Sequence, residues 1–115
     1  MVRVDDDDFI WSQARRWRAH LDRVNGTGDT ELTLRILKIT EEAGEAAQAW
    51  IGVQGQNPRK GVTHTVDQVV GELADVVMTS LVAIASLGAD PRAAVAACAA
   101  KAAGHLPAAD PPATS

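Results

Sequence analysis

The chain has 115 residues, the size of one small domain, and its formal net charge is −4. Hydrophobic residues make up 46% of the sequence but aromatic residues only 3%, so we expect an aliphatic, alanine-rich core. The acidic balance argues against nucleic-acid binding through a basic surface. The single cysteine, Cys98, excludes an internal disulfide and is predicted to be a small core residue in a reducing cytoplasm.

Two features argue against a membrane protein. Residues 1–8 are acidic and form no apolar leader, and the apolar run from Val76 to Leu87 is too short to span a bilayer. We therefore expect a soluble, cytoplasmic protein that has neither a membrane nor a nucleic acid as its partner.

Hydrophobic spacing predicts an all-α fold with four helices, at about 6–24, 30–53, 65–87 and 91–103. The first helix begins in the acidic run Asp5–Asp8, which suits a helix N-terminus better than a metal site because consecutive acids point in different directions. The expected N-caps of the later helices are, in order, Asp29 or Thr30, Thr65 or Asp67, and Asp90, which precedes Pro91. Residues 1–105 are predicted to form one domain and residues 106–115 a disordered tail.

Two of these helices carry apolar patterns that predict their packing. In the second helix, a stripe at spacings of three and four is predicted to face the core: Leu32, Ile36, Ile39, Ala43, Ala46 and Trp50. After Asp75 the third helix is apolar almost all round, so we expect a partner chain, most simply in a two-fold dimer. The three tryptophans, Trp11, Trp17 and Trp50, could stack on a base, but at helical spacing we interpret them as core residues.

The acidic residues are concentrated in two places. Glu41, Glu42 and Glu45 lie three and four apart, which places them on one side of the second helix, and alanine rather than lysine follows them. Glu72 and Asp75 are three apart on the third helix. Two helices that face each other with such pairs can form an all-oxygen site for a hard divalent cation.

The pattern E-E-x-x-E on one helix and E-x-x-D on the next resembles the MazG-like family of all-α nucleoside triphosphate pyrophosphohydrolases. Dimeric dUTPases and phosphoribosyl-ATP pyrophosphohydrolase are relatives of that family. The resemblance runs from about Leu32 to Leu87, and the segment G-Q-N-P-R-K-G-V-T-H-T, residues 55–65, is similar to the connecting loop of actinobacterial MazG-like proteins. It implies a four-helix MazG-like bundle that assembles as a dimer or a dimer of dimers.

The resemblance also implies an activity. A Mg²⁺-dependent enzyme, for which Mn²⁺ is a possible substitute, would convert an NTP or dNTP and water to the monophosphate and pyrophosphate and so remove unwanted nucleotides. The implied metal ligands are Glu42, Glu45, Glu72 and Asp75. Glu41 and Glu45 are the candidates for orienting or deprotonating the attacking water.

Basic residues suited to phosphate are few. The candidates are Lys38, Arg59, Lys60 and Lys101, although a solvated loop tip is an equal interpretation of Arg59 and Lys60. The family often has a basic segment on its last helix, where this chain has Lys101 alone. An alternative function is therefore a non-catalytic nucleotide-sensing or oligomerising module of the same fold, and a purely structural bundle would leave the acids in solvent. The sequence assigns no base-binding residue, and the base and sugar stay open.

Overall fold

The computed structural model describes residues 7–108, and these form four α-helices and no strand. The helices are α1 (Asp7–Asn25), α2 (Asp29–Gln54), α3 (Val66–Ser86) and α4 (Pro91–Ala103). The predicted all-α class and the four predicted helices are confirmed. Asp5, Asp6 and most of the predicted tail lie outside the described residues, and residues 104–108 form an exposed turn after α4.

Local signals start α3 and α4 as predicted. The Thr65 hydroxyl accepts a hydrogen bond from the backbone N–H of Gln68, and the Gln68 side chain accepts one from the backbone N–H of Thr65. The Asp90 carboxylate accepts the backbone N–H of Arg92, and Pro91 occupies the first turn. These reciprocal bonds satisfy N–H groups that the helix itself leaves unpaired.

The start of α2 differs from the prediction. Its N-cap is Gly28, in extended conformation and without a side-chain cap, so the expected cap at Asp29 or Thr30 is wrong. Asp29 is already helical, and its backbone carbonyl accepts a hydrogen bond from the Thr33 hydroxyl. Asp29 and Glu31 nevertheless place negative charge in the first turn, where it opposes the helix dipole.

An antiparallel hairpin of α2 and α3 is the centre of the fold. The connection at residues 55–65 returns the chain, so the Gly52 carbonyl accepts the Thr63 N–H at one end of the hairpin and Arg35 reaches Ser86 near the other. α1 packs mainly against α3, and α4 contacts α3 and α1. This register determines which side chains of α2 and α3 lie opposite each other.

The face of α2 that meets α3 matches the predicted stripe only in part, since Ala46 is buried and Leu32 and Ile39 are half-buried while the rest of the stripe is exposed. Its buried residues are Arg35, Ala46, Ala49 and Gly52, whereas Ile36 and Trp50 of the predicted stripe are 45% and 50% exposed. The physical reason is that α2 has apolar residues on more than one face, so their spacing alone does not select the face that α3 covers. The small residues at Ala46, Ala49 and Gly52 allow the two helices to approach closely.

α3 leaves a stripe of large apolar side chains uncovered. These residues step by four, three and four, are 53–58% exposed, and will be called the α3 stripe: Val66, Val70, Leu73 and Val77. With a mean hydropathy of 1.7 in a window that is 22% buried, α3 is long and apolar enough, by length and composition, to cross a membrane. The core helix of a helical bundle meets the same criteria, so this is weak evidence for a membrane segment. The short apolar run 76–87 does not argue against a membrane segment, as the sequence suggested, because α3, which contains most of that run, has 21 residues.

The second half of α4 lies on the surface. Pro91 is buried at its start, but all residues from Val95 to Ala108 are exposed, including Cys98. The predicted core position of Cys98 is therefore wrong. Helical spacing of small residues gave no sign of this, because α4 meets the other helices chiefly through its first turns.

Candidate metal centre and adjoining cavity

Three of the four predicted metal ligands come together. One carboxylate oxygen each of Glu42, Glu45 and Glu72 lies within 4.8 Å of the others. Glu42 and Glu72 are half-buried and Glu45 is exposed. Within residues 7–108 this is the one group of histidine, cysteine or acidic side chains with such spacing. The helical step of three brings Glu42 and Glu45 to one side of α2, and the hairpin places Glu72 opposite them.

The arrangement fits a hard cation with little rearrangement. Mg²⁺ takes oxygen ligands at about 2.1 Å, so oxygens on opposite sides of an octahedron are about 4.2 Å apart. Oxygens on adjacent corners are about 3.0 Å apart, so the three carboxylates, which lie within 4.8 Å of one another, would close on a common cation by movements of up to about 1.8 Å. Without a cation, three negative charges at this separation repel each other.

Asp75 is not part of this three-carboxylate group. It is exposed one helical turn after Glu72 on α3, about 4.5 Å farther along the helix axis. It lines, together with Glu42, the end of a cavity that begins at the acids. The structure thus places Asp75 beside the site, while Glu42, Glu45 and Glu72 form its centre.

Lys38 is the predicted phosphate ligand that lies next to the acids. Its Nζ is 3.4 Å from Glu41 Oε1 and 3.5 Å from Glu42 Oε1. The hydrogen bond and the charge of Glu41 raise the pKa of Lys38 above its ordinary value, with a smaller contribution from Glu42. Glu41 itself is exposed on the outer side of α2. Lys38 therefore holds positive charge at the edge of the acidic group.

The other predicted cations lie elsewhere. Arg59 and Lys60 are exposed in the loop beyond the end of α2, and the nine residues from Glu45 to Gln54 alone span about 14 Å. Lys101 is exposed in the last turn of α4. In the part of the chain that the structure describes, no ion pair joins any of these three to the acids.

The loop itself is fixed to α2 by a close backbone approach. Gly52 is buried, and its carbonyl accepts the Thr63 N–H at 3.0 Å. The Thr63 hydroxyl lies 2.8 Å from Nδ1 of His64. A Cβ at position 52 would overlap the His64 ring, so only glycine fits there. His64 packs across the helix and has no acidic neighbour in the three-carboxylate group.

A cavity of about 710 Å³ adjoins the acids on the side away from the loop. It lies between α1, the N-terminal half of α2 and the C-terminal half of α3. Glu42, Asp75 and Lys38 stand at its acidic end. Its remaining lining is Trp17, Leu21, Asn25, Glu31, Leu34, Arg35, Met78, Thr79 and Val82. Mostly apolar walls with a few polar groups are typical of a small-molecule site, and the volume suits one.

Arg35 joins all the elements around this cavity and is only 6% exposed. Its Nε donates to Glu31 Oε2 at 2.6 Å, and its Nη1 donates to Asp22 Oδ1 at 2.8 Å and to Ser86 Oγ at 3.0 Å. Its Nη2 donates to the Gly26 carbonyl at 2.9 Å. One guanidinium thereby connects α1, the turn between α1 and α2, α2 itself and α3. The planar fork of five donors in arginine makes so many contacts possible.

The charges in this network stabilise one another. Desolvation opposes the charged form of Arg35, but hydrogen bonds to Glu31 and Asp22 raise the pKa of Arg35 above its ordinary value. The hydrogen bond from Arg35 lowers the pKa of Asp22, against a raising effect of desolvation, and Arg18 lowers it further. The wall of the cavity is thus fixed by paired charges rather than by apolar packing alone.

Sequence reasoning missed this network and the cavity. The available signal was the step of four from Glu31 to Arg35, which is typical of a helix ion pair. The prediction that Trp17 and Trp50 are core residues is also wrong, since each is at least half exposed. Trp17 stands at the rim of the cavity.

No protein-family model, no curated protein and no solved structure matches the chain. The resemblance to MazG-like proteins accordingly rests on the acidic pattern and the loop residues, and functional inference rests on the geometry described above.

Proposed function

We propose that this protein is a Mg²⁺-dependent nucleoside triphosphate pyrophosphohydrolase with a MazG-like fold. It would cleave an NTP or dNTP with water to the monophosphate and pyrophosphate and so clear unwanted nucleotides from the cytoplasm. The observation that carries the proposal is the convergence of Glu42, Glu45 and Glu72 within 4.8 Å, at the mouth of a cavity that can hold a nucleoside.

Each acidic side chain has a place in this chemistry. Glu42, Glu45 and Glu72 would hold the cation, and Asp75, one helical turn after Glu72, would complete the set. Bound Mg²⁺ supplies positive charge that offsets the triphosphate and polarises the reacting phosphoryl group. Glu45 and Glu41 are exposed, and either would orient the attacking water and accept its proton.

Lys38 binds a phosphate oxygen in this scheme. Its present partners, Glu41 and Glu42, lie at 3.4 and 3.5 Å, long for a charge-assisted hydrogen bond. When Glu42 binds the cation, its charge is no longer available to Lys38, and the ammonium group can move to the substrate. The raised pKa of Lys38 keeps it protonated throughout the neutral pH range.

The uncovered apolar surface supports self-assembly, as a homodimer or homotetramer. The α3 stripe would be covered by a second copy of the chain. A lipid environment is a poorer partner for α3, because Glu72 and Asp75 lie within the length of the stripe and a carboxylate at the centre of a bilayer costs about 2.5–3.5 kcal/mol. A protein interface leaves these acids at its edge, open to substrate.

One observation favours a second candidate, the non-catalytic nucleotide-sensing or oligomerising module. Of the four predicted phosphate contacts, Lys38 alone lies beside the acids. Arg59, Lys60 and Lys101 are exposed and distant from that edge. A site with one cation would bind the triphosphate weakly and turn it over slowly, which a sensor tolerates better than an enzyme.

Pyrophosphate release separates the two candidates. Wild type and the variants Glu42→Gln and Glu72→Gln are compared on a panel of NTPs and dNTPs with Mg²⁺, with EDTA as the metal-free condition. Asp67→Asn is the matched control, since Asp67 is an exposed acid in the first turn of α3. We expect turnover in wild type and Asp67→Asn and a loss of at least about a hundredfold in the two glutamine variants. Nucleotide binding without turnover would contradict the enzyme and favour the sensor.

A further inference from the structure

Glu31, at the far end of the cavity, has an acceptor that the fold does not use. Its carboxylate is 14% exposed, and both of its hydrogen bonds, from Arg35 and from Asn25, reach Oε2. Among residues 7–108, no hydrogen bond reaches Oε1. Arg35 anchors the carboxylate through one oxygen at 2.6 Å, and Glu31 lines the cavity, so the other oxygen is left as an acceptor for a ligand.

A second polar group stands beside it. Asn25 closes α1 and lines the same cavity, with Nδ2 at 3.5 Å from Glu31 Oε2 and no hydrogen bond at its Oδ1 within the described residues. Glu31, held by Arg35, and the exposed Asn25 thus offer two acceptor oxygens at this end of the cavity, Glu31 Oε1 and Asn25 Oδ1. Such a pair suits a ligand edge that donates N–H groups and disfavours one that presents carbonyl oxygens.

Trp17 provides the flat surface that a base requires. Its indole is 53% exposed at the rim, and the His20 ring lies edge-on to it, with centroids 5.6 Å apart and an interplanar angle of 86°. Leu34 and Val82 are apolar residues of the same lining. Stacking on an aromatic ring favours any base, so Trp17 would contribute affinity. Selectivity would come from Glu31 and Asn25.

The two ends of the cavity carry different groups, in the order that the phosphates and the base of a nucleotide require. Its acidic end carries the candidate cation site and Lys38, which suit phosphates, and its far end carries Trp17 and Glu31, which suit a base. The eleven residues from Glu42 to Glu31 span about 16 Å of helix axis, and the Glu31 side chain shortens this gap by leaning toward Arg35. A nucleoside triphosphate in an extended conformation matches this order of groups.

We infer that the cavity is the nucleoside subsite and that Glu31 selects bases bearing an exocyclic amino group over bases with a carbonyl at the same ring position. The inference deepens the proposed function and rests on it for the direction in which the nucleotide lies. Glu31 is the specificity-determining residue, Asn25 adds a second acceptor, and Trp17 stacks on the base.

The test uses pairs of nucleotides that differ at this group and at the adjacent ring nitrogen, which is an acceptor in the amino bases and an N–H donor in the carbonyl bases. ATP is compared with ITP, and CTP with UTP, by kcat/KM in Mg²⁺. One well-placed hydrogen-bonding pair discriminates by about 1–3 kcal/mol, so wild type should prefer the amino base roughly 5- to 150-fold. Glu31→Gln keeps an oxygen for Arg35 but presents an NH₂ group, and it should reduce this preference to below about threefold or reverse it. Asp29→Asn, an exposed change two residues earlier, should leave the preference intact.

Equilibrium binding makes the outcome independent of turnover. AMP against IMP and CMP against UMP are measured without metal by isothermal titration calorimetry. Trp17→Ala should weaken the binding of all four by roughly 5- to 150-fold, the range for loss of one stacked base. Thermal melts confirm that each variant is folded.

The two proposals fail in different ways. Binding that favours amino bases and depends on Glu31, with no turnover, would support the subsite and refute the enzyme. Turnover with amino and carbonyl bases equal within about threefold would refute the subsite and leave the enzyme. Equal loss of both members of a pair in Glu31→Gln would also refute the subsite, since it indicates that Glu31 only holds Arg35 in place.

Discussion

Removing one charge from the three-carboxylate group should stabilise the metal-free protein. In Glu72→Gln, the half-buried Glu72 loses its repulsion with Glu42 and Glu45, whose oxygens lie within 4.8 Å. Two unit charges at that distance repel by about 0.9 kcal/mol with the dielectric constant of water and by about 3.5 kcal/mol with an effective value of 20. Lys38 partly offsets the charge of Glu42, so we expect a net gain in the free energy of unfolding of about 1–3 kcal/mol.

Mg²⁺ should make wild type more stable than Glu72→Gln and so reverse the order expected without metal. A cation that binds only the folded protein stabilises it by about 2.7 kcal/mol at a concentration of 100 times Kd. Wild type would gain this, whereas Glu72→Gln lacks a ligand and would gain less, so the two stability curves should cross as Mg²⁺ is added. Crossing is the expected signature because structural acids, which hold no metal, would not produce it.

Urea denaturation followed by far-UV circular dichroism measures both effects, in EDTA and over a Mg²⁺ titration at one protein concentration. Asp67→Asn controls for the loss of an acid from α3 outside the group. The reasoning is refuted if Glu72→Gln is less stable than wild type in EDTA. It is equally refuted if Mg²⁺ stabilises wild type and Glu72→Gln by the same amount.

Three further predictions follow from the described contacts. Gly52→Ala should lower the free energy of unfolding by about 1–3 kcal/mol, because the added Cβ would overlap His64. Gly71→Ala, whose Cβ would have no atom within 4 Å, should raise it by up to about 1 kcal/mol. Urea melts compare the two variants, and equal effects would contradict the close approach at Gly52. Arg35 lowers the pKa of Asp22 below its unfolded value of about 3.8, so the stability from this pair is present above pH 4 and is lost as the pH falls through the folded pKa. Asp22→Asn should flatten that decline in urea melts, and a pH profile equal to that of wild type would disprove the linkage. If copies of the chain assemble through the α3 stripe as proposed, Leu73→Glu, which places a charge there, should lower the mass measured by analytical ultracentrifugation to that of a monomer. An oligomer of unaltered mass would show that another surface joins the copies.

The features that the sequence predicted correctly are those set by neighbours along the chain. The N-terminus of α3 depends on Thr65 and Gln68, three residues apart, and that of α4 on Asp90 and Pro91. The all-α class follows from alanine content and missing strand patterns. The convergence of Glu42 and Glu45 follows from a helical step of three, and so their shared side of α2 was predictable before any tertiary contact was known.

The features that it missed depend on the tertiary arrangement. The predicted stripe of α2 combines Ala46, which is buried, with Ile36 and Trp50, which are exposed, and only the packing of the other helices determines which of its members are covered. Arg35 gains its role from Asp22 and Ser86, which are far away in sequence. The position of Asp75 beside the acidic group, rather than within it, likewise depends on the register of the hairpin.

The identity of the products tests the central claim most directly. Phosphorus NMR of wild-type protein incubated with Mg²⁺ and each nucleoside triphosphate shows which phosphoanhydride bond is cut. The account predicts signals of pyrophosphate and of the nucleoside monophosphate, in equal amounts and absent in EDTA. Nucleoside diphosphate with inorganic phosphate, or an unchanged triphosphate in every reaction, would contradict it.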